Sequence, residues 1–391
     1  MSAAEFLARR GGILLIMNSL GRGGGDRVGM LLANGFAAAG VPTRIALMKD
    51  PDEPPEDLLD AAVTVVSAGA QMGLAWSRKR PPLGHQHLER IRGVRFIRSQ
   101  IEAFRPAVVL AASDNMGLVT ALSRRQSDAR ILFSMKLTNR LFRPNTPQLR
   151  ARLRQRLFDY IFGRLDVVLT LTEADRADAQ THYPECQRLF LTVANPYVTE
   201  GMLSLATDAR DGPTRLLSAG RMVRQKRFDV LLRAFASSAD PEATLTILGD
   251  GPVRSDLEQL ASSLGVADRV HMPGHADIVE ELRPSNLFVL SSDYEGLPAV
   301  LIEAIACNVP VVTTDSFHAA REIFGETRSC AVVPIGDPEA LARAIDQCLA
   351  QRPDGNLRRM AEPYRVQAAI GAHIEALADA VAAQNRTDTP V

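Results

Sequence analysis

Glu295 and Glu303 stand eight residues apart in the stretch Ser291-Ser292-Asp293-Tyr294-Glu295-Gly296-Leu297-Pro298-Ala299-Val300-Leu301-Ile302-Glu303-Ala304. An apolar strand pattern enters this stretch and a helical pattern leaves it. Pro298 suits the first turn of that helix, where a missing N–H costs nothing. A helix start offers unpaired backbone N–H groups and the positive end of the dipole, a ready seat for phosphate. Eight residues are about two helical turns, so both carboxylates can face the turn. Carboxylates accept strong hydrogen bonds from hydroxyls, and two of them around such a helix start could clasp a sugar nucleotide. A strand–turn–helix with surface glutamates is the plainer alternative. A second cluster precedes it. Gly220-Arg221 ends the strand Arg215–Ala219, and Lys226 follows in the same strand-to-helix loop. A guanidinium fork and an ammonium point charge would together stabilise a diphosphate leaving group, although basic loop residues taken alone are more often solvated.

The elements that must position these residues follow a βαβα rhythm, which means a parallel sheet covered by helices. Strands are expected at Gly12–Met17, Arg44–Met48, Ala107–Ala112, Arg130–Ser134 and Val167–Thr172, with helices over Val28–Ala39, near Gly117–Arg125 and from Glu173. The rhythm breaks at Asn195-Pro196 and in the polar stretch Thr207–Pro213. It restarts with strands at Arg215–Ala219, Ala243–Leu248, Val270–Met272, Leu287–Ser291 and Val309–Thr313, and helices at Phe228–Ala236 and Val253–Leu264. Two domains are therefore expected, with a boundary near residues 195–212. A last helix is expected around Val366–Ala382, with a frayed tail from Asn385. Ligands of doubly wound sheets bind beyond the carboxyl ends of the strands.

The 391 residues suit two domains, and 46% hydrophobic with 23% charged residues is ordinary globular composition. The net charge of zero hides an asymmetry. Residues 1–195 hold 27 Lys+Arg against 18 Asp+Glu, leaving 18 against 27 for the rest. A basic first half could face an anionic partner, or the charges could be scattered and solvated. The arginines at 140, 143, 150, 152, 154 and 156 alternate with apolar residues, a pattern suited either to a membrane surface or to a helix whose apolar face enters the core. The cysteines Cys186, Cys307, Cys330 and Cys348 form no CxxC pair, which reads as free thiols in a reducing compartment. No run approaches 18 apolar residues.

Residues 215–315 closely resemble the C-terminal half of the family-4 retaining glycosyltransferases. The matching pieces are Ser218-Ala219-Gly220-Arg221, Lys226-Arg227-Phe228-Asp229, Leu248-Gly249-Asp250-Gly251-Pro252, Glu295-Gly296-Leu297-Pro298, Glu303-Ala304 and Pro310-Val311-Val312, with the E-x7-E spacing kept. The resemblance implies a GT-B fold, in which two doubly wound Rossmann-like domains face each other across a cleft. It assigns residues 1–195 to the acceptor side and 196–365 to the nucleotide-sugar donor. Residues 366–391 would form a helix crossing back to the first domain, then a tail. Arg221 and Lys226 would hold the donor diphosphate, Glu303 the ribose and Glu295 the sugar hydroxyls. Gly251 and Pro252 would line the pocket near the base, and Gly296 and Leu297 would complete the substrate-binding set.

In the first half, Gly23-Gly24-Gly25-Asp26-Arg27 resembles the family's glycine-rich loop after strand one, with Asp26 one methylene shorter than the usual Glu. Gly24 and Gly25 would approach the substrates. The histidine that many members carry after a middle strand is replaced here by Ser134-Met135-Lys136. Ser113-Asp114-Asn115 could line the acceptor side or cap a helix.

The implied reaction moves a sugar from a nucleotide sugar, with a UDP-sugar as the expected donor, to a glycan or polyprenyl-diphosphate-linked acceptor in cell-surface polysaccharide synthesis. Anomeric configuration is retained, and no metal, cofactor or nucleic-acid partner is expected. The expected place is the cytoplasm, with peripheral contact between the basic half and an anionic membrane. A nucleotide-sugar epimerase on the same fold and a non-catalytic partner protein are the alternatives. A dinucleotide fingerprint in Gly21-x-Gly23 fails for want of its third glycine and of an acid after the second strand. Asp50-Pro51-Asp52 reads as a solvated acidic loop, and His271 and His275 as loop packing beside a Pro-Gly turn.

Overall fold

A computed structural model of the chain describes residues 1–21, 23–50, 59–69, 83–142, 147–204, 212–325, 327–351 and 357–387, with backbone alone for 83–90, 385 and 387. The chain divides into two compact units, Met1–Pro196 together with the segment from Val366 onward, and Tyr197–Arg365.

In the first unit β1 (Ile13–Met17), β2 (Thr43–Leu47), β3 (Thr64–Ser67), β4 (Val108–Ala111), β5 (Leu132–Leu137), β6 (Val167–Thr170) and β7 (Phe190–Thr192) form one parallel sheet in the order β3-β2-β1-β4-β5-β6-β7. Its helices are α1 (Ala3–Arg9), α2 (Gly24–Ala38), α3 (Leu83–Phe104), α4 (Asp114–Ser123), α5 (Gln148–Phe162) and α6 (Glu173–His182). Every residue of β1 and β4 is buried, as strands covered on both faces require. The strand order reverses between β1 and β4. Connections leaving their carboxyl ends diverge there and open a crevice. The glycine-rich turn from Gly21 follows β1 at this point, and Ser113 follows β4.

The second unit repeats the plan. β8 (Arg215–Ala219), β9 (Thr244–Leu248), β10 (Val270–Gly274), β11 (Leu287–Leu290), β12 (Val311–Thr314) and β13 (Ala331–Val333) lie parallel in the order β10-β9-β8-β11-β12-β13. The helices α7 (Phe228–Ala236), α8 (Arg254–Ser263), α9 (Ala299–Ala306) and α10 (Pro338–Leu349) accompany them. The reversal falls between β8 and β11. The loop after β8 carries Arg221 and Lys226, and the loop after β11 carries Glu295, so both leave the sheet at its switch point.

The last helix, α11 (Val366–Thr387), packs into the first unit. A Cβ at Gly35 of α2 would lie 2.4 Å from Ile370 Cγ1, so the glycine lets the two helices approach. The helix runs through Asn385 to Thr387, beyond the expected start of fraying, and residues 388–391 lie outside the described ones.

Several bounds differ from expectation for local reasons. α2 begins at Gly24 rather than Val28, so the glycines open the helix. β5 is displaced to Leu132–Leu137 because the polar Ser134 and Lys136 are buried within it. Among the described helices, α1, α10 and α3 escaped the apolar pattern, the last written in a basic run. The linker 205–211, Arg22, Arg143 and the acidic residues 51–57 lie outside the described residues. Asp50 lies just within them and accepts a hydrogen bond from Ser67.

Candidate functional site

The second unit builds its site from two loops fastened to each other. Lys226 Nζ stands 2.7 Å from Glu295 Oε1, with the two side chains 17% and 13% exposed. Ser292 Oγ donates to the same carboxylate oxygen at 2.6 Å. The backbone supports this pair. Asp293 N–H donates to Gln225 O at 2.8 Å, Gln225 Nε2 to Tyr294 O at 2.7 Å and Ser291 Oγ to Lys226 O at 2.8 Å. Glu295 N–H donates to Ser316 O at 2.9 Å, tying the loop to the strand-end segment after β12. Arg227 adopts a left-handed φ of 47°. Its guanidinium bonds Asp229 at 3.1 and 3.2 Å and Asp293 at 3.1 Å, which holds that turn.

Close backbone approach explains the glycines beneath. Gly249 has φ 112°, and a Cβ there would lie 2.2 Å from Gly220 O. At Gly251 a Cβ would lie 2.3 Å from Met222 O. Met222 N–H donates to Asp250 O at 2.8 Å, joining the loops after β8 and β9. Gly251 thus has a packing reason to be glycine, and the adjacent Pro252 is exposed.

Arg221 is exposed on the same loop as Lys226 and forms no ion pair among the described residues. Pro298 is the N-cap of α9, one residue before the first turn expected for it, and no side chain caps the helix. Leu297 is 6% exposed, and its carbonyl accepts a bond from Tyr197 Oη at 3.2 Å. Gly296 is half-buried between Glu295 and Leu297. Glu303 is 3% exposed on α9. The structure therefore joins Lys226 to Glu295, sets Arg221 beside them in the chain, and leaves Glu303 outside that ion pair. Gln225, Ser292 and Ser316 were given no role from sequence. Ser292 had a signal, because it sits three residues before Glu295.

In the first unit Gly23 is the N-cap of α2 without a side-chain cap, and a Cβ on Gly24 or Gly25 would meet nothing within 4 Å. Packing does not demand these glycines, and the helix start is open. Asp26 is half-buried, which raises its pKa against the lowering effect of a bond from the Gly21 backbone. Ser113 is an N-cap whose side chain makes no capping bond. Asp114 Oδ1 instead accepts from Thr138 Oγ1 at 2.6 Å and Asn139 Nδ2 at 2.9 Å. Where the family's histidine is replaced, Lys136 is fully buried with Nζ 2.5 Å from Nε2 of His373 on α11. His373 Nδ1 lies 2.7 Å from Ala369 O, so Nδ1 carries the proton and Nε2 accepts from Lys136. Burial lowers the Lys136 pKa to about 7. Burial, and then the Lys136 charge, hold His373 well below its usual value. A histidine thus does reach this strand, from 237 residues away in sequence.

His271 is exposed in β10 and lines a depression of about 500 Å³ with Arg254 and Glu258.

Comparisons with known proteins bear on both units. A family model described as glycosyl transferase 4-like domain matches residues 23–191, and one described as glycosyl transferases group 1 matches residues 206–365. The chain is 39% identical over 154 residues to the lipopolysaccharide core biosynthesis glycosyltransferase LpsE of Rhizobium meliloti, covering 39% of this chain and 43% of that one. It is 30% identical over 145 residues to a diphospho-undecaprenol 4-alpha-N-acetylgalactosaminyltransferase of Campylobacter jejuni, covering 37% and 39%. The match spans about two fifths of the length of these relatives. Among solved structures, a glycosyltransferase from Rickettsia africae superposes with a TM-score of 0.73 at 15% identity, over 94% of this chain and 98% of that one. Anabaena HepE in complex with UDP and glucose superposes with a TM-score of 0.65 at 17% identity, over 96% and 99%. With a glycosyltransferase family model on each half and two parallel-sheet Rossmann-like units beneath them, the chain belongs with the family-4-like glycosyltransferases of GT-B fold.

Proposed function

We propose that the chain transfers a sugar, with retention of configuration, from a nucleotide sugar to a glycan or polyprenyl-diphosphate-linked acceptor of a cell-surface polysaccharide. The observation that carries this is the Lys226–Glu295 pair, held by two loops at the switch point of the second sheet. Arg221 stands on the same loop, and the uncapped start of α9 follows Glu295. Two cations and a helix N-terminus offer the positive charge that a departing diphosphate needs, and fixed groups stabilise that charge without reorganising. In this reading no metal is required, and Glu295 accepts hydroxyls of the donor sugar while orienting Lys226. Glu303 serves the ribose, and the open helix start at Gly24 and Gly25 serves the substrates from the first unit. The presence of UDP in the HepE structure and the undecaprenol in the Campylobacter relative's name support the choice of UDP-sugar and lipid-linked acceptor.

The test is a thermal-shift screen with UDP-, GDP-, ADP- and TDP-sugars, run beside Glu303→Ala. A shift with one nucleotide class that disappears in the variant is expected. No shift with any donor would favour a non-catalytic partner protein. Conversion of the donor without an acceptor would identify an epimerase. Transfer that survives EDTA and yields the donor's anomeric configuration would support the remaining details.

A further inference from the structure

Helix α5 presents two apolar faces, and only one enters the core. Phe158, Ile161 and Phe162 are buried against the first unit. Leu149, Leu153 and Leu157 are 71%, 58% and 41% exposed, among the few large apolar side chains exposed in the described residues. Their spacing of four places them in one stripe along the helix, turned away from the buried phenylalanines. The expectation of an apolar face in the core accounts for Phe158, Ile161 and Phe162 and leaves this stripe unexplained.

Arginines border the stripe. Arg150, Arg152 and Arg156 are exposed and form no ion pair among the described residues. At 100° per residue Arg152 and Arg156 fall on one flank of the leucines and Arg150 on the other. Arg154 is turned inward, its guanidinium 5.1 Å from the Phe158 ring and bonded to Leu141 O. Asp159 is the single acid in the helix sequence. A row of leucines between unpaired arginines matches a layer that is apolar below and anionic at its surface. A second copy of the same face would set arginine against arginine.

We propose that α5 docks in the plane of an anionic lipid bilayer, with Leu149, Leu153 and Leu157 among the acyl chains and Arg150, Arg152 and Arg156 at the headgroup phosphates. The helix joins β5 to β6, which are parallel neighbours, so it runs antiparallel to them. Its N-terminal end therefore lies at the carboxyl edge of the first sheet, the edge from which the loop at Gly23 leaves. Docking brings that edge to the lipid surface. Only the purpose of this placement, presenting a lipid-linked acceptor, rests on the transferase reading; the docking stands without it.

The experiment is flotation of the full chain with vesicles of phosphatidylcholine alone and of phosphatidylcholine with phosphatidylglycerol. Wild type, L149S/L153S/L157S and R150Q/R152Q/R156Q are compared, all at exposed positions and each checked by its melting curve. Wild type is expected to float with the anionic vesicles only, and less as salt rises. The arginine variant should lose on the order of a hundredfold in binding, and the leucine variant about tenfold or more. Failure of wild type to float would overturn the proposal. So would a leucine variant that floats like wild type, since the leucines would then not insert. A wild-type dimer dissolved by the leucine changes, without flotation, would instead make the face a protein interface. Both variants should keep the nucleotide-sugar thermal shift. Flotation without that shift in wild type would refute the donor site and leave the docking intact.

Discussion

Lys226 and Glu295 form a 2.7 Å ion pair that is largely screened from solvent, and this makes their separate contributions measurable. Lys226→Ala removes charge that the proposed diphosphate leaving group requires. It should cost about 2–4 kcal/mol of barrier, read in kcat, with a smaller change in donor affinity. An effect on KM alone would remove Lys226 from that role. The buried couple Lys136–His373 gives a second prediction at this scale. The folded Lys136 pKa is about 7 against 10.5 for the free group. Between those values the unfolded chain holds a proton that the folded chain lacks, so stability rises with pH through that window. Below about 7 the ammonium is present in both states and its full burial cost applies, on the order of 3–5 kcal/mol. His373 is also depressed, so stability falls further below its unfolded value of 6.5. Lys136→Met should stabilise the first unit near neutral pH and flatten the slope at alkaline pH in denaturant titrations. Parallel slopes for wild type and variant would contradict this assignment.

At the scale of elements, the two glycine clusters differ in what holds them. Gly249→Ala places a Cβ 2.2 Å from Gly220 O at φ 112°, so it should destabilise the second unit by about 1–3 kcal/mol and abolish the donor thermal shift. Gly24→Ala meets nothing within 4 Å at a helix start and should not lower the melting temperature. Activity lost at an unchanged melting temperature would mark the Gly24 surface as a substrate contact; full activity would show that no ligand comes close there. The same contrast shows what was legible in the sequence. α7 has its expected bounds because its apolar residues keep a clean helical period, as in Phe228, Leu231, Leu232 and Phe235, and β8 because it is a short run buried from Leu216 to Ala219. β5 was misplaced because a lysine and a serine are buried in it, the lysine supported by a helix more than 200 residues away. The loop chemistry was partly legible. Lys226 and Glu295 could be picked out by type and spacing. Their direct pairing and the supporting bonds from Gln225 and Ser292 depend on which strands are neighbours, and one loop's sequence does not encode that.

At the scale of the whole molecule, the chain leaves the first unit at Pro196, builds the second, and returns at Val366 to complete the first. That return is structural. Ile370, Ile374, Leu377 and Val381 of α11 are 6%, 5%, 0% and 1% exposed, and His373 is fully buried against Lys136 and 6.4 Å from the Phe36 ring. Burying four such apolar side chains contributes roughly 1.5–3 kcal/mol each, before the buried lysine that their loss would leave without its partner is counted. Whole domains have about 5–15 kcal/mol in total. A chain ending at Arg365 should therefore lack a stable first unit, while the second, whose contacts lie within Tyr197–Arg365, keeps its own transition. Calorimetry and donor binding on the truncated chain would separate these outcomes. Loss of the first unit's transition with the nucleotide thermal shift retained is expected, and it would place donor recognition in the second unit alone. An unchanged pair of transitions would mean that α11 only lies on the first unit without completing its core. Loss of both would mean that the second unit depends on the first for its stability.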